Sequence, residues 1–245
     1  MIPQLIPVLS GGFSLDAYMA SQEAGFWIKG TDPTTLFQGT DETTPVTAFG
    51  DVVGRANDQR VGAGSPISAT QSTTSFKPKY QSTGLAFDGT DDNLLTNYTA
   101  GSGANFLIAK VVVPASLSGT RVVAGGRATT DTRSYIGFDA AGLFGAGVGS
   151  QSNAVVKGST DRRGQTVIVG VTQNGSTVRL FEVGAVTYEA SQVGSVSTAA
   201  PYRIGAWNDN GTASTFWPGQ IQHVLAGREF IDLARFNQIA NALGV

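Results

Sequence analysis

The sequence of 245 residues contains no cysteine and only one histidine, His223. The absence of cysteine excludes a disulfide framework and any metal site built on thiolates. Charged residues make up only 14% of the chain, and the net charge is −2. Because affinity for nucleic acid comes mainly from clustered Lys and Arg, this balance predicts a protein that does not bind nucleic acid.

Long hydrophobic runs are also missing. No apolar stretch approaches the roughly 20 residues that span a bilayer. The first nine residues contain two prolines and no Lys or Arg, which differs from the basic start of a secretory signal. We therefore expect a protein that is made in the cytoplasm and does not insert into a membrane.

Glycine and short apolar segments are abundant instead. The chain has 32 glycines and 41% hydrophobic residues, which indicates many tight turns around a packed core. Turn signals recur every ten or so residues and favour a two-sheet β-sandwich. The strongest strand signal precedes Pro114. It places one set of apolar residues on one face (Leu107, Ala109, Val111 and Val113) and a second set on the other (Phe106, Ile108 and Val112, beside Lys110). A strand that is apolar on both faces is typical of the middle of a sheet.

Three further elements are predicted from local patterns. Residues 84–95 read as a strand, a tight polar turn at Asp88 and Gly89, and a second strand. Asn174 and Gly175 separate two alternating runs and predict a hairpin. Residues 231–243 form an apolar stripe of helical period with Asp232 near its start, so we expect a short C-terminal helix there.

The chain divides into three regions by composition. Residues 81–245 carry the sandwich, and residues 25–80 form a loop-rich lead-in packed on it. Residues 1–24 are apolar and nearly uncharged, and two interpretations stay open: a strand and turn on the same chain, or an arm that docks on another subunit. The candidate assembly residues of such an arm are Ile2, Leu5, Ile6, Leu9, Phe13 and Tyr18.

The order of the predicted strands and turns along the chain resembles that of a known family. The runs Leu85 to Asp92, Phe106 to Pro114, Val167 to Leu180 and Phe216 to Ile221, followed by a short helix, are similar to laminin G-like domains of the concanavalin A-like lectin and glucanase superfamily. The lead-in from Gly25 to Tyr80 resembles that of tailed-bacteriophage structural proteins. The resemblance implies an all-β, two-sheet jelly-roll sandwich with one short C-terminal helix, and a place in a virion.

Catalysis has little support in the sequence. His223 lies in a strand among apolar neighbours, which favours a structural role. Glucanases of the resembled superfamily carry a Glu-x-Asp-x-x-Glu pattern, and no glutamate of this chain fits it. We therefore expect no enzyme.

Two candidate binding sites remain. Asp88, Asp91 and Asp92, beside Asn93, offer the hard oxygen ligands that calcium prefers, although the same side chains could simply cap a turn. We expect no other cofactor. Trp207, Asn208, Asp209, Asn210 and Trp217 combine flat rings with polar groups, which is typical of carbohydrate binding. For Trp217, a buried anchor at the start of a strand is the alternative.

These observations predict a non-enzymatic bacteriophage virion protein of the tail or capsid surface. It is expected to be synthesised in the host cytoplasm, to form homo-oligomers and to contact other virion proteins through its N-terminal region. The alternative is a carbohydrate-binding module that recognises a host surface glycan. A polysaccharide-degrading glycosidase is the third interpretation.

Overall fold

The computed structural model describes residues 12–22, 24–60, 67–129, 132–149, 155–183, 185–191 and 200–244. Two α-helices occur in this part of the chain, α1 (Leu15–Ala20) and α2 (Leu233–Ala242). The strands are, in order, β1 (Gly25–Lys29), β2 (Leu36–Phe37), β3 (Arg55–Asn57), β4 (Ser68–Thr70), β5 (Lys79–Gln81), β6 (Gly84–Ala86), β7 (Leu94–Thr99), β8 (Asn105–Val112), β9 (Arg121–Thr129), β10 (Thr132–Phe138), β11 (Leu143–Val148), β12 (Val155–Asp161), β13 (Thr166–Gln173), β14 (Thr177–Glu182), β15 (Ala185–Ser191), β16 (Pro201–Ile204), β17 (Trp207–Asp209), β18 (Thr212–Ser214) and β19 (Gln220–Gly227). No helix of these ranges is long and apolar enough to span a bilayer.

The strands form two sheets that pack face to face as a sandwich. The helix-covered sheet has the order β15-β14-β13-β8-β19-β6-β5, and β1 also pairs with β19. The second sheet has the order β12-β11-β10-β9-β16-β7-β4-β3-β2. Its β17 pairs with β18 and, in parallel, with β9. The all-β, two-sheet prediction is confirmed.

Strand β8 lies at the centre of the helix-covered sheet, between β13 and β19. The predicted inner face is confirmed: the core between the sheets contains Leu107, Ala109, Val111 and Val113. The opposite face places Phe106 and Ile108 in a second apolar cluster beneath the two helices. The strand is apolar on both faces because both faces are covered.

Helix α2 provides most of that cover. It buries Phe236, Ile239 and Ala240, as its apolar stripe predicts. The Asp232 side chain accepts a hydrogen bond from the backbone N–H of Arg235 at 2.7 Å, which caps the first turn. At the other end, Lys110 Nζ of β8 donates to the backbone oxygens of Leu243 and Gly244, both at 2.6 Å.

Helix α1 is an element that the sequence patterns do not predict. Ser14 caps it by accepting from the N–H of Ala17 at 3.2 Å, and Leu15 and Met19 are buried against the second cluster. Over Leu15–Ala20 the structure has a helix, whereas one of the two open interpretations of residues 1–24 is a strand and a turn. An i, i+4 pair of apolar residues in a six-residue helix is too short a pattern to reveal its period.

Two of the candidate assembly residues belong to this contact. Phe13 and Tyr18 pack against the second cluster of their own chain, and the Tyr18 hydroxyl donates to Glu229 Oε2 at 2.7 Å. For Phe13 and Tyr18, the structure therefore fits the interpretation in which residues 1–24 pack on their own chain. The remaining candidates, Ile2, Leu5, Ile6 and Leu9, lie outside the described residues.

The hairpin predicted for residues 84–95 is wrong. Strand β6 pairs with β5 and β19 in the helix-covered sheet, whereas β7 pairs with β4 and β16 in the second sheet. The loop between them therefore carries the chain from one sheet to the other. Asp88 Oδ1 accepts from the N–H groups of Thr90, Asp91 and Asp92 at 2.8 to 3.3 Å, so these donors need no paired strand.

The hairpin at Asn174 and Gly175 is confirmed, since β13 and β14 pair antiparallel across it. Gly175 has a φ of +88°, a value that glycine adopts without strain. The lead-in, residues 25–80, contributes β1 and β5 to the helix-covered sheet and β2, β3 and β4 to the second sheet.

Removing the ring of Phe236 tests the role of helix α2. The Phe236 ring stacks on that of Phe181 with centroids 4.9 Å apart and is fully buried. We expect Phe236→Ala to lower the free energy of unfolding by about 3–5 kcal/mol, measured by urea denaturation. Asn241→Ala, on the exposed side of the same helix, should change it by less than about 0.5 kcal/mol. Equal losses in both variants would contradict this packing.

Candidate functional site

Trp217 cannot contact a sugar. Its side chain is 0% exposed, and its ring lies 5.5 Å from that of Phe138 in the core between the sheets. Trp217 is therefore a buried anchor of the core, and its prediction as a carbohydrate-binding residue is wrong.

Trp207 and Asp209 are already engaged within the chain. The Arg127 guanidinium lies 4.8 Å above the Trp207 ring, and the Tyr135 ring contacts it with centroids 5.0 Å apart. Asp209 pairs with Arg127 through both oxygens, with Nη2 to Oδ2 at 2.7 Å. These contacts link β17 to β9 and engage the Trp207 ring within the chain.

Asn208 holds the turn beside this strand. It is buried, its Nδ2 donates to the Pro201 carbonyl at 2.7 Å, and its Oδ1 accepts from the Gly211 N–H at 2.8 Å. Asn210 is exposed with a φ of +48°, and its side chain makes no hydrogen bond within the described residues. Of the predicted carbohydrate residues, Asn210 is therefore the one whose amide is available.

A cleft of about 320 Å³ opens beside this turn, and we call it the Arg203 cleft. Its lining consists of Leu95, Ala128, Ala200, Pro201, Arg203, Asn208, Asn210 and Gly211. Tyr202 and Ile204 point from β16 into the core. Because side chains alternate along a strand, Arg203 points to the outer face of the second sheet.

Arg203 has only neutral partners. Its Nη1 donates to Asn93 Oδ1 at 2.5 Å, and its Nη2 donates to the Gly211 carbonyl at 2.9 Å. Its Nε is buried without a partner, and no carboxylate of the described chain forms an ion pair with it. Burial lowers the pKa of Arg203 below its usual value.

The acidic loop brings the three predicted metal-binding residues together. Asp88, Asp91 and Asp92 each place one oxygen within 4.8 Å of the others. A second cleft, of about 390 Å³, adjoins them and also contains Ser75, Lys77, Lys79 and Ala86. Asp92 Oδ2 accepts from the Asp88 N–H at 3.0 Å, so this carboxylate, like that of Asp88, binds the backbone of its own loop.

The pKa values of Asp88 and Asp92 in this loop are shifted in opposite directions. Burial, together with the negative charge of Asp88, raises the pKa of Asp92 to about 7. Burial alone would also raise the pKa of Asp88, but the N–H groups of Thr90, Asp91 and Asp92 hold it below its usual value.

His223 has the structural role that the sequence favours. Trp27 Nε1 donates to His223 Nδ1 at 3.3 Å in a buried contact. Burial lowers the pKa of His223 to about 4, and the charges of Lys110 and Lys29 act in the same direction. The ring is therefore neutral near pH 7.

Comparison with known proteins identifies the fold. No protein-family model and no curated protein matches the sequence. Among solved structures, a heptameric SAP-like pentraxin from Limulus polyphemus is 16% identical, with a TM-score of 0.50 over 63% of this chain and 80% of the pentraxin. A mutant Trypanosoma rangeli sialidase with trans-sialidase activity is 12% identical, with a TM-score of 0.51 over 73% of this chain and 30% of the sialidase.

A third similar structure is the CBM40 of a Ruminococcus gnavus IT-sialidase. It is 12% identical, with a TM-score of 0.48 over 56% of this chain and 83% of that domain. The pentraxin and the Trypanosoma rangeli sialidase are similar to the present chain in fold, and the fold is a two-sheet jelly-roll sandwich.

The pH dependence of stability tests the environment of Asp92. Because the folded state holds its proton up to about pH 7 and the unfolded state releases it near pH 3.8, ionisation of Asp92 costs stability as the pH rises. Asp92→Asn keeps an acceptor for the Asp88 N–H and removes this cost. In EDTA, we expect the melting temperature of the variant minus that of the wild type to increase between about pH 5 and pH 8.

Asp41→Asn is the matched control for this comparison. Hydrogen bonds from the Thr43 backbone and hydroxyl lower the pKa of Asp41, so its titration is complete below about pH 5. The difference between this variant and the wild type should stay constant over the same range. A constant difference for Asp92→Asn as well would contradict the proposed environment.

Calcium titration of EDTA-stripped protein distinguishes a metal site from a capped turn. We expect an unchanged melting temperature, because Asp88 Oδ1 already accepts three N–H groups and Asp92 is partly protonated near neutral pH. A rise in melting temperature that Asp91→Asn abolishes would instead establish a calcium site.

Proposed function

We propose that this protein is a non-enzymatic carbohydrate-binding module that holds its ligand in the Arg203 cleft. The observation that carries the proposal is the mixed lining of that cleft. Leu95, Ala128 and Pro201 offer apolar surface, while the Asn210 amide and the Arg203 guanidinium, which donates only to neutral groups in the described chain, offer polar groups.

This combination suits the chemistry of a sugar. A pyranose presents C–H surface on its faces and hydroxyl groups around its edge, so a binding site needs apolar contacts with a few directed polar groups. The volume of about 320 Å³ lies at the small end of the usual range for ligand sites, roughly 300–1,000 Å³. The cleft therefore suits a short saccharide or the end of a longer chain.

The lining of the cleft argues against hydrolysis. Glycosidases flank the scissile bond with two carboxyl groups roughly 5 to 10 Å apart. The Arg203 cleft is lined by no Asp or Glu of the described chain. The Asp88 and Asp92 carboxylates lie in the other cleft, where each accepts hydrogen bonds from the loop backbone.

The virion interpretation rests on the sequence resemblance alone. A place on a bacteriophage tail or capsid surface, synthesis in the host cytoplasm, homo-oligomer formation and contacts with other virion proteins remain proposals of that kind. A glycan-binding module of a virion would unite both proposals, since host surfaces display polysaccharide.

Blocking each cleft in turn tests the proposal. Ala128→Phe fills the Arg203 cleft, and Ala86→Phe fills the cleft beside the acidic loop by the same change. On an array of bacterial and animal glycans, we expect the wild type to bind a subset. Calorimetry with those glycans should show at least a tenfold loss, about 1.4 kcal/mol, for Ala128→Phe and little change for Ala86→Phe.

Thermal denaturation of both variants checks that each is folded. Loss of binding only in Ala86→Phe would show that the ligand binds in the cleft beside the acidic loop and not in the Arg203 cleft. A wild-type protein that binds no glycan on the array or in bacterial surface polysaccharide would overturn the proposed function.

A further inference from the structure

We infer that the ligand of the Arg203 cleft carries a carboxylate, so that the module recognises acidic rather than neutral saccharides. This inference rests on the proposed function and narrows its substrate class. It is carried by the position of one arginine in the cleft and by the partners that this arginine has.

Arg203 differs from most arginines of the described chain in having no acidic partner. Those that form ion pairs are Arg55 with Glu42, Arg60 with Asp58, Arg127 with Asp209, Arg162 with Glu182, Arg163 with Asp161, and Arg179 with Glu189. Arg203 instead donates to the Asn93 side chain and the Gly211 carbonyl. Its charge is therefore not neutralised from within the chain.

The surroundings of the cleft keep that charge uncompensated. The carboxylate on the adjoining strand, Asp209, is bound by Arg127 through both oxygens. The other polar side chains of the lining, Asn208 and Asn210, are neutral. A cation that is partly removed from water costs free energy, and an anionic ligand group would offset that cost. The lowered pKa of Arg203 has the same physical origin, since burial is its only cause.

The geometry of the guanidinium favours a carboxylate as that group. A guanidinium has five N–H donors, and Nη1 and Nη2 of Arg203 each use one of their two on the neutral acceptors. One N–H remains on each terminal nitrogen. A carboxylate that accepts from these N–H groups forms charge-assisted hydrogen bonds, which are stronger than those to the present neutral acceptors.

Ligand pairs that share the sugar and differ in charge test the inference. Galacturonate, glucuronate and mannuronate trisaccharides are each compared with their methyl esters, which keep the sugar and remove the charge. We expect at least one acid to bind the wild type at least tenfold more tightly than its ester in calorimetry, with an affinity that falls as salt is added. Arg203→Gln should abolish the difference, and Arg203→Lys should retain part of it.

Arg179→Gln is the matched control, because Arg179 pairs with Glu189 on the helix-covered sheet and lies outside the cleft. It should keep the preference for the acid. The comparison of acid with ester in the wild type does not depend on whether any variant folds.

The outcomes separate this inference from the proposed function. Equal affinities for acids and esters, or array binding confined to neutral glycans, would overturn the inference and leave the carbohydrate module intact. If no glycan binds but propionate, a carboxylate that is not a sugar, raises the melting temperature of the wild type and not of Arg203→Gln, the proposed function fails while the carboxylate site stands. No effect of propionate together with no glycan binding would overturn both.

Discussion

The burial of strand β8 on both faces is the constraint on which the rest of the structure depends. Its inner face fills the core between the sheets, and its outer face requires the cover that the helices supply. A strand with two apolar faces requires a covering layer on each side, and here the layers are the second sheet and the helices. Both described α-helices pack on the helix-covered sheet, and the Arg203 cleft lies on the outer face of the second sheet.

Alternation along single strands made the sandwich predictable, because burial repeats every second residue. The same signal located β8 and the hairpin at Asn174, and helical periodicity located α2. The alternation of apolar and polar residues does not indicate which of the two sheets the next strand joins. For that reason the sequence of β6 and β7 resembles a hairpin, although the two strands lie in different sheets. The Asp88 side chain accepts from the backbone N–H groups of the loop between them, which have no partner strand.

The candidate site was predictable only in part. Aromatic and amide residues near Trp207 drew attention to the turn beside the Arg203 cleft, but burial excludes Trp217, and internal pairing occupies Trp207 and Asp209. Arg203 gives no sequence signal, since an arginine between two apolar residues of a strand is ordinary at a solvent-facing position. What the structure adds is its place in a cleft without an acidic partner, a combination that depends on strands distant in sequence.

Asn208 has a consequence for the thermodynamics of binding. By accepting from Gly211 and donating to Pro201, its buried amide joins two walls of the cleft before any ligand arrives. A ligand then does not have to order the turn, so little conformational entropy is lost on association. For the saccharide proposed above, such a pre-organised cleft favours association without rearrangement of the turn.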